Sequence, residues 1–366
     1  MSTYTPSEGA SRLYRVASNV FNWNKTSDCV TPLELAKQQL ENIENSGRIC
    51  IPGAGIGTYV VAALESGFDP KRITAVEFDP AYYEMGNAIY RRFGVNYVLT
   101  DFLTWEPKVE FDVIVGNPPY QRAREVRNVG APLWPDFIEK SISLLRPEGI
   151  VSLVVPFTWM QKNTRGKAWK CISQNDLVRL DPNVDWAFPA VDAGGITVIT
   201  LSKRPYSGAT LLPDGSTVDI TEPTPSNNRE WTADSFEFLR SQKKLILDVK
   251  VGPVKPSINS EHWSPEKTET HCYEVFYSSA KKRRSMWCDQ PIGGHGELKL
   301  AVPVYGDMYG TAKITTVGCG RQVEYVLGTQ EELEEIKRKL ETDESRRMNR
   351  LNAYGAYHSP LTNIVR

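Results

Sequence analysis

The apolar run of residues 112–116 ends in Asn117-Pro118-Pro119-Tyr120, and this ending constrains the chain more than any other segment. A conjugated amino group or an amide nitrogen is a poor nucleophile, because its lone pair is delocalised. The Asn117 side-chain carbonyl and the Pro118 backbone carbonyl are two acceptors for the two N–H bonds of such a group. The prolines stiffen the turn, and Tyr120 adds a flat stacking face. The pattern predicts a strand end that binds an amino nitrogen; the alternative is a Pro-Pro strand terminator with Asn in a turn.

A glycine-rich strand-loop-helix segment lies upstream of this motif. Pro52, Gly53, Gly55 and Gly57 form the predicted loop, and the predicted helix covers residues 58–66. Glycines let a ligand approach backbone N–H groups at a helix N-terminus. Because many nucleotide-binding folds share this spacing, the loop indicates a nucleotide-like cofactor without identifying it.

Two acidic residues follow the next two predicted strands. Glu77 ends the strand predicted over residues 73–77, where a carboxylate can bind both hydroxyls of a ribose. Asp101 and Phe102 follow the strand predicted over residues 96–99, where an acid can accept from an adenine amino group and a ring can cover the base. The alternatives are a solvated strand-end carboxylate for Glu77 and a helix N-cap for Asp101.

Together, these motifs at successive strand ends resemble the S-adenosylmethionine-dependent amino-methyltransferases. They are most similar to the DNA adenine-N6 methyltransferases of the γ arrangement, in which the cofactor motif precedes Asn-Pro-Pro-Tyr and the target-recognition domain is C-terminal. The resemblance extends from about Thr31 to about Arg204. It implies an α/β fold class, with a Rossmann-like methyltransferase sheet covered by helices on both faces. A smaller C-terminal target-recognition domain is expected to follow.

The resemblance also implies a set of cofactor contacts. The segment that begins at Thr31 is similar to the family's N-terminal Thr-Pro helix, which lies against the methionine end of S-adenosylmethionine. Residues 133–156 look like the family's helix, turn and fifth strand. The implied cofactor-binding residues are Thr31, Pro52, Gly53, Gly55, Gly57, Glu77, Phe78, Asp101, Phe102 and Asn117.

A late motif over residues 187–199 resembles the one whose aromatic ring faces the flipped base in this family. By that match Phe188 would lie opposite Tyr120; if Phe188 is a core residue instead, Phe157 or Trp159 would cover the base. The implied catalytic residues are Asn117, Pro118, Pro119, Tyr120 and Phe188.

One position departs from the family pattern. The family usually has an acid where this chain has Ile51, and that acid helps to hold the methionine amino group. The departure leaves open how the amino acid end of the cofactor is held. A substitute acceptor is expected from the Thr31-Pro32 segment or from a backbone carbonyl.

Composition is that of a globular, water-exposed protein. The chain has 366 residues, of which 40% are hydrophobic and 24% are charged, and no apolar run approaches the roughly 20 residues that span a bilayer. Its six cysteines form no Cys-x-x-Cys pair, as expected in a reducing cytoplasm. The spacing of His262, His271, Cys272 and Cys288 is irregular, so no metal site is expected.

Local charge, and not the net charge of −1, carries the signal for a nucleic acid partner. One basic group follows Tyr120, and the densest basic run lies in the C-terminal part. Both groups are predicted to neutralise phosphates; the alternative is a solvated face or a flexible loop. The implied DNA-binding residues are Arg122, Arg124, Arg127, Lys281, Lys282, Arg283 and Arg284.

The pattern of the chain changes after Arg204. Residues 205–229 are rich in Pro, Gly, Ser and Asn and contain a predicted hairpin at residues 213–216. We expect a catalytic domain over residues 1–205 and a DNA target-recognition domain over residues 206–366, with the boundary between 205 and 230. In the second domain the sequence predicts two strands, at 298–304 and 312–317, and one long helix from residue 330 to about residue 350.

The predicted function is methyl transfer from S-adenosylmethionine to the N6 amino group of an adenine flipped out of double-stranded DNA. The protein is expected to be a cytoplasmic monomer of a prokaryotic or virus-infected cell, with no membrane partner and with a cognate restriction endonuclease as a candidate partner. Three alternatives stay open: an RNA adenine methyltransferase, a protein glutamine methyltransferase, and a methyltransferase-like binding module without catalysis. The long C-terminal part favours a nucleic acid over a protein glutamine, and the intact Asn117–Tyr120 motif argues against the module.

Overall fold

The computed structural model describes most of the chain as two compact units, Met1–Glu222 and Pro223–Arg366. This division falls between residues 205 and 230, and residues 206–221 belong to the first unit. The role predicted for the second unit stays a prediction. The described residues are 5–20, 30–121, 132–160, 166–189, 195–221, 224–253, 261–278, 283–304, 312–320, 322–353 and 360–361.

A nine-stranded sheet runs through the described part of the first unit, in the order β3-β2-β1-β4-β5-β7-β6-β8-β9. Strands β1 to β5 are parallel to one another, and β7 lies antiparallel to both β5 and β6. The strands are β1 Ile49–Pro52, β2 Ile73–Glu77, β3 Asn96–Leu99, β4 Phe111–Gly116, β5 Leu145–Pro156, β6 Asp176–Asp181, β7 Ile196–Ser202, β8 Thr210–Leu211 and β9 Thr217–Val218.

Helices accompany this sheet in alternation with its strands, so the predicted α/β class is confirmed. Short 3-10 helices cover Phe157–Met160 and Asp185–Ala187. The α-helices are α1 Pro6–Val20, α2 Leu33–Leu40, α3 Thr58–Glu65, α4 Pro80–Tyr90, α5 Trp134–Leu144 and α6 Lys167–Ser173.

Both faces of the central strands are buried, as a parallel sheet requires. On one face, alternate residues of β1, β2 and β4 pack in a single cluster with residues of α1, α2, α3 and α4. The residues between them, such as Cys50, Val76 and Ile114, are also buried. The sheet is therefore packed on both faces, and the ends of its parallel strands carry the predicted site.

The second unit contains two four-stranded sheets in its described part, ordered β10-β17-β14-β15 and β11-β13-β12-β16. The predicted strands at 298–304 and 312–317 are observed as β14 and β15. The elements are α7 Ala233–Ser241, β10 Lys250–Val251, β11 Trp263–Ser264, β12 Tyr273–Ser278, β13 Arg283–Cys288, β14 Lys299–Pro303, β15 Lys313–Thr315, β16 Gly318–Cys319, β17 Val323–Leu327, α8 Gln330–Leu340 and α9 Asp343–Leu351.

The prediction of one long helix from residue 330 was wrong. The chain forms two helices, α8 and α9, and it breaks between them at Thr342. The Thr342 side chain accepts a hydrogen bond from the Ser345 N–H at 3.3 Å and caps α9. A threonine with acidic residues directly after it is a helix start signal, and here it ends the preceding helix as well.

The predicted hairpin at residues 213–216 is confirmed. It joins β8 to β9, and Gly215 adopts a φ of +83° in its turn. In the chain segments that the structure describes, no helix combines the length and the apolar character needed to cross a membrane.

Gly57→Ala should destabilise the first unit more than Gly55→Ala. Both residues have positive φ, which costs an L-residue about 1–2 kcal/mol. A Cβ at Gly57 would lie 2.3 Å from the Tyr90 ring, whereas a Cβ at Gly55 would meet nothing within 4 Å. Overpacking should add about 1–3 kcal/mol to the cost of Gly57→Ala alone. Urea unfolding of the two variants measures the difference, and equal losses would contradict this packing.

Candidate cofactor and substrate site

The predicted site residues meet at one edge of the first sheet. Strands β1, β2, β3 and β4 are parallel, so their carboxyl ends share that edge. Backbone bonds join the loops there: Ala54 N–H donates to the Val76 carbonyl at 3.0 Å, and Thr100 N–H donates to the Glu77 carbonyl at 2.9 Å. A Cβ at Gly116 would lie 3.0 Å from the Pro52 carbonyl, so the ends of β1 and β4 also touch.

The glycine-rich loop after β1 has the backbone that its sequence predicts. Gly53, Gly55 and Gly57 have φ values of +60°, +57° and +99°, and Gly57 directly precedes α3. Residues other than glycine rarely adopt these values. The loop therefore brings backbone N–H groups to the N-terminus of α3, where an anionic group is favoured.

Glu77 is the polar centre of this edge. Its Oε2 accepts from the Gly55 N–H at 2.6 Å, and its Oε1 accepts from the N–H groups of Phe78 and Asp79, both at 2.8 Å. The side chain is only 8% exposed, which excludes the solvated strand-end alternative. Burial raises the pKa of Glu77, against the lowering by its three N–H donors. The carboxylate thus ties the β1 loop to the start of α4.

Asp101 and the two aromatic residues that follow the acids, Phe78 and Phe102, differ in burial and in hydrogen bonding. The Asp101 Oδ1 accepts from the Leu103 N–H at 2.9 Å and caps a turn, and no helix begins there. Phe102 is 3% exposed and stacks on Phe137, with the ring centroids 5.3 Å apart. Phe78 is 73% exposed. Of the two predicted cofactor aromatics, Phe78 is the one with an open face.

Asn117 is oriented by a residue 86 positions earlier in the chain. Its Nδ2 donates to the Thr31 Oγ1 at 3.1 Å, and Thr31 is 5% exposed. Because the amide nitrogen faces Thr31, the side-chain carbonyl points to the other side of the amide. Pro118 is buried and Pro119 is exposed. The structure therefore joins the Thr31 segment to the end of β4.

The Tyr120 backbone bonds to a residue that lies 13 positions later in the chain. Its carbonyl accepts from the Leu133 N–H at 3.0 Å, and Gln121 and Pro132 form an antiparallel bridge. Several of the predicted DNA contacts lie outside the described residues, and the side chains of Arg283 and Arg284, at the start of β13, are not described. The residues outside the description are Arg122, Arg124, Arg127, Lys281 and Lys282.

Phe188 is not open to a base in this structure. It is 4% exposed and packs in a core cluster with Leu35 and Ile196. This burial disfavours the predicted position of Phe188 opposite Tyr120, where its ring would face a base. The alternative rings, Phe157 and Trp159, are each 1% exposed. Sequence reasoning did not consider Trp186, which lies two residues before Phe188 and is 52% exposed.

Ile51, at the position of the missing acid, is fully buried in the apolar cluster beneath the helices. It offers no acceptor to an ammonium group. The substitute acceptor expected from the Thr31-Pro32 segment stays a prediction, since the Thr31 hydroxyl already accepts from Asn117.

Sequence reasoning missed three tyrosines, two that bond to the glycine-rich loop and one that bonds to the first residue of α3. The Tyr97 hydroxyl donates to the Gly55 carbonyl at 3.2 Å, and the Tyr90 hydroxyl donates to the Gly57 carbonyl at 3.1 Å. The Tyr14 hydroxyl, from α1, shares a 2.7 Å hydrogen bond with the Thr58 Oγ1. Buried tyrosines in amphipathic segments look like ordinary core residues, so no sequence pattern separates these tyrosines from the core.

Comparison with known proteins gives a family match over the middle of the first unit. Residues 84–186 match the family described as the Eco57I restriction-modification methylase. This segment contains Asp101, the Asn117–Tyr120 motif, α5 and β5. The glycine-rich loop and Glu77 lie before it.

Three relatives match about a third of the chain. It is 32% identical over 142 residues to the Type II methyltransferase M.TthHB8I of Thermus thermophilus, which is 33% of this chain and 32% of that protein. It is 29% identical over 128 residues to the modification methylase CviBIII of Paramecium bursaria Chlorella virus NC1A, or 32% and 33% of the two chains. A tRNA1(Val) (adenine(37)-N6)-methyltransferase of a Flavobacteriaceae bacterium is 28% identical over 117 residues, or 28% and 49%.

The matched segments therefore span less than half the length of these relatives. Through the Eco57I family match and these relatives, the predicted resemblance of the chain to the S-adenosylmethionine-dependent amino-methyltransferases is confirmed.

Proposed function

We propose that this chain is a DNA methyltransferase that transfers a methyl group from S-adenosylmethionine to the N6 amino group of adenine. The observation that carries the proposal is the Asn117 amide, which Thr31 orients at the same sheet edge as Glu77 and the glycine-rich loop. That arrangement supports an acceptor for an amino nitrogen beside a nucleoside-binding acid.

The residues of the β1, β2 and β3 loops fit the cofactor. Glu77, a buried carboxylate, suits a ribose hydroxyl, and the open side of Gly55 admits a ligand close to the backbone. The exposed Phe78 ring suits one face of an adenine, and Asp101 suits its amino group. When bound, S-adenosylmethionine supplies an electrophilic methyl group on a sulfonium.

The chain's own contribution to the chemistry is positioning and dipole placement. The Asn117 side-chain carbonyl and the Pro118 backbone carbonyl accept hydrogen bonds from the two amino protons of the target. These bonds favour a tetrahedral nitrogen and localise its lone pair. No strong base is needed beforehand, because the methylated nitrogen is cationic and loses a proton readily.

A flat target must leave a duplex before its amino nitrogen can reach this edge. Tyr120 supplies one stacking face. Phe188 can supply the other only if its ring leaves the cluster that it forms with Leu35, whereas Trp186 is already exposed. Phe188 remains the proposed second face, and Trp186 is its competitor.

DNA is favoured over RNA and over a protein glutamine by two observations. One relative is named a Type II methyltransferase and another a modification methylase, and the matched family is described as a restriction-modification methylase. A separate unit with two sheets follows the catalytic unit, as a target-recognition domain would. The tRNA-modifying relative keeps an RNA adenine as the second candidate.

Labelled methyl transfer to DNA, RNA and bulk protein, measured side by side, tests the proposal. Expression in a host that lacks adenine methylation, followed by modification-sensitive sequencing of its genome, gives the target site. N6-methyladenine in DNA at a defined sequence is the expected result. Label in RNA or protein alone, or in none of the three, would overturn it.

Asn117→Ala should lower the rate of methyl transfer by about 10²–10³, because a group needed mainly in the transition state is lost. Cofactor affinity and thermal stability should change little. Single-turnover kinetics at saturating S-adenosylmethionine measure the rate. A variant that keeps more than about a third of the wild-type rate would contradict the catalytic role of Asn117.

Glu77→Ala should weaken S-adenosylmethionine binding by about 1.5–3 kcal/mol, since a charge-assisted hydrogen bond to the ribose is lost. Asp101→Ala should weaken it through the adenine. Asp79→Ala is a matched control: Asp79 caps α4 through the Ala81 N–H at 2.7 Å, so its loss should cost about 1 kcal/mol of stability and no affinity. Calorimetry that finds unchanged affinity in both Glu77→Ala and Asp101→Ala would contradict the site.

Tyr120→Ala and Phe188→Ala should each impair methylation of a paired adenine by about 1–3 kcal/mol if both rings stack on the base. A substrate that lacks the partner base should partly restore activity, because its target leaves the stack at lower cost. Fluorescence of 2-aminopurine at the target position reports the flip. If Trp186→Ala lowers the signal and Phe188→Ala does not, Trp186 is the second stacking residue.

A further inference from the structure

Two buried tyrosines hold the carbonyl groups of the glycine-rich loop from one side. Tyr90 comes from the last turn of α4 and Tyr97 from β3, and their rings stack 5.9 Å apart with an interplanar angle of 4°. Tyr97 donates to the Gly55 carbonyl and Tyr90 donates to the Gly57 carbonyl. Neither residue belongs to the motifs that identified the site.

These bonds, together with the bond that the Val61 N–H donates to the Gly57 carbonyl at 3.0 Å, fix the direction of two N–H groups. In a planar trans peptide unit, the N–H points opposite to the C=O. With the Gly55 and Gly57 carbonyls turned towards the tyrosines, the N–H groups of Ile56 and Thr58 point away from them. The free space around the loop is consistent with this direction. The Tyr90 ring covers Gly57, whereas nothing lies within 4 Å of a Cβ built at Gly55.

Both backbone polar groups of Gly55, its N–H and its carbonyl, are hydrogen-bonded. Its N–H donates to Glu77 and its carbonyl accepts from Tyr97, so the residue cannot turn without breaking one of these bonds. Burial raises the pKa of Tyr90 and of Tyr97 well above the ordinary value, so both hydroxyls stay protonated and remain donors.

We propose that Tyr90 and Tyr97 are positioning residues that preset the Ile56 and Thr58 N–H groups for the carboxylate of the cofactor's amino acid end. This inference rests on the proposed function, because the carboxylate is the one anionic group of S-adenosylmethionine. Backbone N–H groups at a helix N-terminus suit an anion. With Ile51 in place of an acid, no side chain at that position binds the ammonium group, so recognition of this end depends more on its carboxylate.

Two ligands separate positioning from general structural support. S-adenosylhomocysteine has the amino acid end, whereas 5′-methylthioadenosine has the adenine, ribose and sulfur but no carboxylate. Tyr97→Phe and Tyr90→Phe keep the stacked rings and remove one hydroxyl each. Each variant should raise the Kd of S-adenosylhomocysteine about 2- to 10-fold, as expected for one lost hydrogen bond, and should leave the Kd of 5′-methylthioadenosine within about twofold.

Tyr83→Phe is the matched control. Tyr83 packs against Tyr97 with ring centroids 6.4 Å apart, and among the described contacts its hydroxyl makes no bond to the loop. It should bind both ligands as the wild type does. Calorimetry measures all the affinities, and thermal unfolding checks that each variant is folded; if one tyrosine variant fails to fold, the other carries the test.

The outcomes distinguish this inference from the proposed function. If wild-type protein binds neither ligand, the cofactor assignment fails. If it binds S-adenosylhomocysteine and the tyrosine variants bind it equally well, only the positioning role fails. Equal weakening for both ligands would also overturn the inference, because the tyrosines would then support the whole pocket and not the carboxylate end.

Discussion

The buried carboxylate of Glu77 is the interaction on which this site depends. Removing a carboxylate from water is costly unless hydrogen bonds replace its hydration. Three N–H groups do so here, from Gly55 on one loop and from Phe78 and Asp79 on the next. The same bonds fix the shape of the glycine-rich loop and the start of α4. One charged group therefore sets the geometry of two loops that the chain brings together from 22 residues apart.

This arrangement limits how Glu77 can bind a ribose. A carboxylate offers about four lone-pair sites, and three are already used by N–H donors. In this state one site remains for a hydroxyl, so binding both ribose hydroxyls through Glu77, as the sequence predicted, would require the carboxylate to give up a backbone donor. Giving up the Gly55 N–H would also disturb the loop that Tyr97 holds through the Gly55 carbonyl. Cofactor binding is thus coupled to the loop that Tyr97 supports.

The features that the sequence predicted well depend on residues that are close together in the chain. The strands that end in Glu77, Leu99 and Gly116 were recognised because short apolar runs stop at acids, prolines and glycines, and those stops place side chains at one sheet edge. What it missed depends on distant contacts. The burial of Phe188 comes from packing with Leu35, far away in the chain, and no local pattern reports it. The support of the glycine-rich loop by Tyr90 and Tyr97 depends on the stacking of two side chains from different elements. The helix break at Thr342 was missed because the helical periodicity of the apolar residues was given more importance than the capping residue.

The chemistry at Asn117 and Pro118 does not by itself choose a substrate. An adenine amino group and a glutamine amide each present two N–H bonds on a planar nitrogen, and the same two carbonyls satisfy both. Discrimination must come from the surface that holds the rest of the molecule. A flipped base needs an aromatic ring on each of its two faces, whereas an amide side chain needs no stacking ring. The second face is therefore the feature that decides between these substrates. Phe188 can provide it only by leaving its buried cluster, whereas the ring of Trp186, two residues earlier, is already exposed.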